Sequence, residues 1–162
     1  MEEIKLLKVL KNNARISLKD LSMILDEEEN VIENKIRDLV DRKIISGFHT
    51  VINWDKTNNE EVMAMITVDA TPERESGYDR IAKHIYSYDE VSTCYLISGQ
   101  TSFMVIIQGK TMREVADFVA QKLAPIQGVN GTVTQFVLKR YKEDGIILDE
   151  EVKSQERMLI MP

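Results

Sequence analysis

The constraint that most narrows the fold of this chain lies in how its hydrophobic period changes between Val62 and Leu138. There the period alternates between two and 3.6 in the order strand, helix, strand, strand, helix, strand. Val62 to Ala70 alternates as a strand. Ser76 to Ser87 reads as a helix, with Ser76 as its cap and Tyr78, Ile81, Ala82 and Ile85 on one face. Val91 to Ile97 is a strand, Ser98-Gly99-Gln100-Thr101 a turn cluster, and Ser102 to Gln108 the next strand. Thr111-Met112-Arg113-Glu114 forms a capping box, after which Met112, Val115, Ala116, Val119 and Leu123 make an apolar stripe that Pro125 ends. Val129 to Leu138 is the last strand. The order β-α-β-β-α-β is the ferredoxin-like split, in which two helices cover one face of a four-stranded antiparallel sheet.

The other face of such a sheet needs a cover too. Met63, Met65, Tyr95, Ile97, Val105 and Ile107 are its expected apolar residues, with the facing uncertain by one step. An open apolar sheet face must be buried, so self-association into a homodimer is expected.

Ahead of this domain come three short helical patterns. Ile4, Leu7 and Leu10 recur at helical spacing, and Asn12-Asn13 is the stop. Ser17-Leu18-Lys19-Asp20 starts a second helix as a capping box, with Leu18, Leu21 and Leu25 on one face. Asp26-Glu27-Glu28-Glu29 opens a third, where negative charge suits the helix N-terminus. Ile32, Ile36, Leu39 and Val40 form its buried stripe. Asn30, Glu33, Asn34, Arg37 and Asp41 form its opposite face. Three helices with a short second turn suit a helix-turn-helix, and an ordinary helical cap fits the pattern about as well. Ile44 to Ile52 reads as a linking strand, and Asp55 to Glu61 as a loop.

The expected organisation is therefore α+β. Residues 1–47 form the helix-turn-helix module, and residues 48–60 a linking strand and loop. Residues 61–139 form the ferredoxin-like oligomerisation and effector domain. Residues 140–162 form an extension packing on that domain or on a neighbouring subunit through Ile146-Ile147-Leu148 and Met158-Leu159-Ile160-Met161.

Charge sets limits on function. The chain carries 21 basic and 27 acidic residues, net −6, with a pI near 5.1. Residues 1–50 sum to −1, 51–138 to −4 and 139–162 to −1. Any contact with DNA must rest on locally placed cations, not on a bulk basic field. No apolar run approaches the roughly 20 residues that span a bilayer, so a cytoplasmic protein without a membrane partner is expected. A single Cys94 excludes an intramolecular disulfide and a multi-cysteine zinc site, and two histidines, His49 and His84, make no His-rich metal site. No catalytic constellation or phosphate-binding glycine loop is assignable, so no enzyme, resident cofactor or metal is expected.

Four stretches in this order resemble the Lrp/AsnC (feast/famine) family of transcriptional regulators. Residues 13–21, NARISLKDL, are similar to its N-G-R-x-S-x-x-x-L. Residues 36–48, IRDLVDRKIISGF, are similar to its V-x-x-L-E-x-x-G-V-I-x-G-Y. Val91 to Gly99 is similar to the strand and turn of its ligand-sensing half, and Gln127-Gly128-Val129 with Thr132 and Thr134 to its last strand. The resemblance implies a winged-helix/helix-turn-helix joined to a dimeric α-β-barrel (RAM) domain, double-stranded DNA as partner, and dimers assembling into tetramers or octamers. It also implies an amino acid or related metabolite as effector between dimers.

On this chain the DNA set is then Asn30, Asn34, Lys35, Arg37 and Lys43, with asparagines suited to adenine edges and cations to phosphates. The effector set is Gly99, Gln100, Ser102, Thr132 and Thr134. Three departures stand out. Glu27-Glu28-Glu29, with Glu33 one turn on, stands where the family has Leu-Ser and small polar or basic residues, Lys43 replaces the family's usual glycine, and Gly99-Gln100-Thr101-Ser102 lacks the aspartate of G-x-x-D that suits an amino acid's ammonium. Two alternatives carry weight: an assembly or metabolite-binding module without DNA recognition, favoured by the acidic third helix, and, at lower weight, a sirohaem-decarboxylase-like enzyme.

Overall fold

The computed structural model describes residues 2–58, 61–109 and 111–149. It divides into two compact units, Met1–Val51 and Ile52–Pro162.

The first unit holds α1 (Glu3–Asn12), α2 (Leu18–Leu25) and α3 (Glu29–Asp41). Leu6, Leu10, Leu21, Ile32 and Leu39 form its buried centre. Each such side chain contributes about 2 kcal/mol by leaving water, which makes this a small core. The stripe of α1 is rotated from expectation: Leu6 replaces Ile4, which is 65% exposed. Ser17 caps α2 by accepting from the Asp20 amide at 3.1 Å, as its sequence spacing predicts. Asp26 ends α2 in the left-handed region at φ 54°. Three residues, 26–28, therefore separate α2 from α3, the short turn of a helix-turn-helix.

The end of α3 explains Lys43. Its amide donates to the Val40 carbonyl at 3.0 Å, and that of Ile44 to the Leu39 carbonyl at 2.9 Å. These two bonds make a Schellman cap, whose central residue must take positive φ. Lys43 sits there at φ 59°, in a conformation that glycine adopts without cost.

The expected linking strand is a correction. Residues 44–52 form no ladder. A strand is defined by a partner, and among the described residues these pair with none; Ile45 instead packs on the helical core.

The second unit contains β1 (Val62–Ala70), α4 (Asp79–Tyr86), β2 (Val91–Leu96), β3 (Phe103–Gly109), α5 (Met112–Phe118) and β4 (Val129–Phe136). The antiparallel sheet runs β2-β3-β1-β4. Ala64, Ile66, Val68, Phe103, Val105 and Ile107 face the helices, and Ile81, Ile85, Val115, Phe118 and Leu123 close on them.

The expected open face is therefore corrected at β3. Val105 and Ile107 are buried at 0% and 1%, and Met104 and Ile106 take the outer positions. The register decides this, because Met65 faces Ile106 and Ile66 faces Val105. Ser76 is also not a helix cap. Its hydroxyl donates to Glu73 Oε2 at 2.8 Å, and α4 begins three residues later.

Thr111 does cap α5, accepting from the Glu114 amide at 3.1 Å. The helix then widens into a π turn, Val119–Leu123. The extra residue rotates Leu123 into the core, while Met112 stays 56% exposed and Phe118 is buried in the stripe. Gly128, at φ 95°, starts β4 so close to α4 that a Cβ would lie 2.8 Å from Ile81 Cδ1.

After β4 a small hairpin, β5 (Lys142–Glu143) and β6 (Ile146–Ile147), brings Leu148 into a buried position, where its carbonyl accepts from Asn53 Nδ2 at 2.9 Å. Leu148 thus packs within its own unit, whereas Ile146 and Ile147 are exposed at 51% and 44%. Met158-Leu159-Ile160-Met161 lies outside the described residues. No helix among the described residues is long and apolar enough to cross a membrane.

Candidate nucleic-acid interface and effector turn

Asn30, Asn34 and Arg37 are exposed on one side of α3, spaced one and two turns apart. Arg37 Nη2 lies 2.6 Å from Glu33 Oε1 on the same face. Both side chains are open to water, and a pair of that kind holds less than about 1 kcal/mol, so Arg37 can be released to another anion.

Lys35 is placed differently. It follows Ile32 by three residues and precedes Ile36 by one, which puts it beside the apolar stripe. Its Nζ reaches Glu3 Oε2 on α1 at 2.9 Å and Asp38 Oδ2 at 3.4 Å. Arg42 joins the same cluster, 2.9 Å from Asp38 and 3.3 Å from Glu3. The Lys35 and Arg42 hydrogen bonds hold the Glu3 carboxyl below its ordinary value, and those of Arg42 and Lys35 do the same for Asp38. This cluster ties α1 to α3; it does not face outward with the asparagines. Lys43 is exposed and makes no ion pair among the described residues. Glu28 and Glu29 stand exposed at the start of α3 without side-chain capping bonds.

The effector candidates are not gathered into one wall. Gly99, at φ 128°, and Gln100 form the exposed tip between β2 and β3. Ser102 is 8% exposed, and its hydroxyl is used twice: it donates to the Ala70 carbonyl at 3.0 Å and accepts from the Ala70 amide at 3.2 Å. It is a latch between the start of β3 and the bulge at Asp69/Ala70. Thr132 and Thr134 pair with Val68 and Ile66, so they lie half-buried on the helix-covered side of edge strand β4. Sequence reasoning missed the latch, because nothing local marks a serine whose partner is 32 residues away.

Other reactive groups stay inert. Burial pushes the Cys94 thiol up from its ordinary value, away from the nucleophilic thiolate. No group of three metal-ligating side chains occurs among the described residues.

Residues 63–147, more than half of the chain, match the family model for the Lrp/AsnC ligand-binding domain. The chain is 35% identical over 162 residues to the uncharacterized HTH-type transcriptional regulator YugG of Bacillus subtilis, covering 99% of this chain and 97% of YugG. The chain belongs to the Lrp/AsnC family of transcriptional regulators.

A further relative, the HTH-type transcriptional regulator Ptr1 of Methanocaldococcus jannaschii, is 28% identical, with 87% of this chain and 93% of Ptr1 covered. Among solved structures, the Neisseria meningitidis regulator NMB0573 in complex with L-Met superposes with a TM-score of 0.67 at 24% identity, covering 92% of this chain and 96% of that one. That likeness shows the Lrp/AsnC fold, a helix-turn-helix followed by a ferredoxin-like domain.

Proposed function

We propose that this Lrp/AsnC regulator binds double-stranded DNA through the exposed face of α3, as a homo-oligomer whose sheets cover one another. The observation that carries this is the α3 face itself. Asn30, Asn34 and Arg37 stand outward on a helix whose opposite side is fixed by Ile32 and Leu39, and a major groove admits such a helix. Asn30 and Asn34 read adenine edges. Arg37, once parted from Glu33, and the unpaired Lys43 hold phosphates. Lys35 is left out of this set, since it serves the α1–α3 cluster.

The oligomer reading rests on the outer sheet face. Met65, Met104 and Ile106 sit at its centre, with Tyr95 and Val133 each 60% exposed. A second copy would bury this surface, and larger rings would build from such dimers. For an effector, the turn Gly99, Gln100, Ser102 with Thr132 and Thr134 remains our candidate. The engaged hydroxyl of Ser102 offers no charge to an ammonium, which favours a ligand other than an ordinary α-amino acid.

One observation favours a second reading, an assembly module without DNA recognition. The α3 face carries Glu28, Glu29, Glu33 and Asp41 against Arg37. A gel shift over the protein's own upstream region, at two salt concentrations, separates the two. DNA recognition gives a specific band that Asn34→Ala weakens about tenfold or more, and Lys43→Ala lowers the salt slope by about one. No specific band at low salt favours the module.

A further inference from the structure

A groove of ≈ 580 Å³ runs between α4 and the π turn with the residues that follow it. Its volume lies within the roughly 300–1,000 Å³ of small-molecule sites. Among the described residues no acidic side chain lines this groove, whereas Arg80, Lys83, Lys122 and His84 all do. Two of the three fixed cations are paired with acids beside the lining, Arg80 with Glu73 and Lys122 with Glu90, which leaves Lys83 as the uncompensated positive charge of the groove.

The cations are not equivalent. Arg80 is bound to Glu73 and also reaches Gln127 Oε1 at 3.2 Å. Lys122 is bound to Glu90 and lies 5.4 Å from the Tyr88 ring centroid and 5.7 Å from that of Phe118. Lys83 is exposed and has no ion-pair partner among the described residues. Beside it the Tyr88 hydroxyl and His84 Nε2 lie 3.1 Å apart, so each already has a polar partner within the groove. Ile81, Pro125 and Ile126 supply apolar surface. The π turn contributes Gln121 and Lys122 to this groove, and it is the kind of helix irregularity that recurs at functional sites.

We propose that this groove binds a small organic carboxylate with an apolar body and no ammonium group. One uncommitted cation, Lys83, matches one negative charge. Ile81 and Ile126 match a branched or aromatic body. An ammonium would meet the uncompensated Lys83 and find no acid in the lining, because Glu73 and Glu90 are engaged by Arg80 and Lys122. The site is separate from the turn at residues 98–102 and from α3, and it stands whether or not the chain reads DNA.

The test is calorimetric titration of the full-length protein with 4-methyl-2-oxopentanoate and, separately, with L-leucine, which shares the carbon skeleton but carries the ammonium. Saturable binding of the oxo acid, one per chain, is expected, with L-leucine about tenfold weaker. Lys83→Glu should weaken oxo-acid binding about tenfold or more, and the remote charge reversal Lys11→Glu should leave it unchanged. Both are exposed positions, and a thermal melt verifies that each variant is folded. Hydrogen exchange should show protection in residues 80–88 and 121–127. Absence of saturable binding, equal affinity for leucine, an unaffected Lys83→Glu variant, or protection confined to residues 98–102 would each overturn the proposal.

Discussion

Lys43 shows how one side chain can serve two opposed ends. In the left-handed cap of α3 it adopts a backbone conformation that costs a side-chain-bearing residue about 1 kcal/mol relative to glycine. The same position leaves its ammonium exposed beside the end of the helix proposed to read DNA. Lys43→Gly is therefore expected to raise the stability of the first unit by about 1 kcal/mol in thermal melts, and to weaken DNA binding in the gel shift. A variant that is both less stable and equally competent in binding would contradict this account of the cap. Ser102 shows the reverse economy: both hydrogen-bonding capacities of its hydroxyl are spent on Ala70, so it fixes the strand and has no charge to offer a ligand.

Between elements, the cluster of Glu3, Lys35, Asp38 and Arg42 sets how α3 sits on α1. The carboxyls of Glu3 and Asp38 are held below their ordinary values by these cations. A carboxyl whose folded value is lowered adds stability above its unfolded value, and that stability is lost as pH falls through the folded one. The melting temperature of the first unit should therefore drop as pH is lowered below about 4. Glu3→Gln should start lower at neutral pH and lose less on acidification; parallel pH profiles for the two proteins would sink the idea. Without Glu3, Asp38 alone would face Lys35 and Arg42, leaving net positive charge beside the helix proposed to read DNA. Helix α5 makes a different point at this scale: its cap was legible from Thr111 and Glu114, and so were Val115, Val119 and Leu123 of its stripe, whereas Met112 and Ala116 stay exposed and Phe118 is buried instead.

For the whole molecule, the outer face of the sheet is the surface on which the proposed assembly depends. Replacing Ile106 by glutamate puts a charge at the centre of that face, opposite Met65. Light scattering should then report a folded monomer, against a dimer or larger species for the unaltered chain. A monomeric unaltered chain would remove the oligomer from the proposed function. The strand–helix order, the capping residues Ser17 and Thr111 (though not Ser76), the three N-terminal helices and the outward Asn30, Asn34 and Arg37 follow from sequence alone, because each depends on periodicity or on neighbours within one helical turn. What only the tertiary structure decided depends on distant partners. Phe103 to Ile107 is apolar at every position, so alternation could not say which face is inward until pairing with β1 put Val105 and Ile107 inside. Residues 44–52 have strand composition but no ladder, Lys35 has a recognition-helix position but a partner on α1, and Ser102 has a ligand-turn position but a bond to Ala70. Local preference is written in adjacent residues; a hydrogen bond, an ion pair or a buried face requires a second surface, and folding alone brings it there.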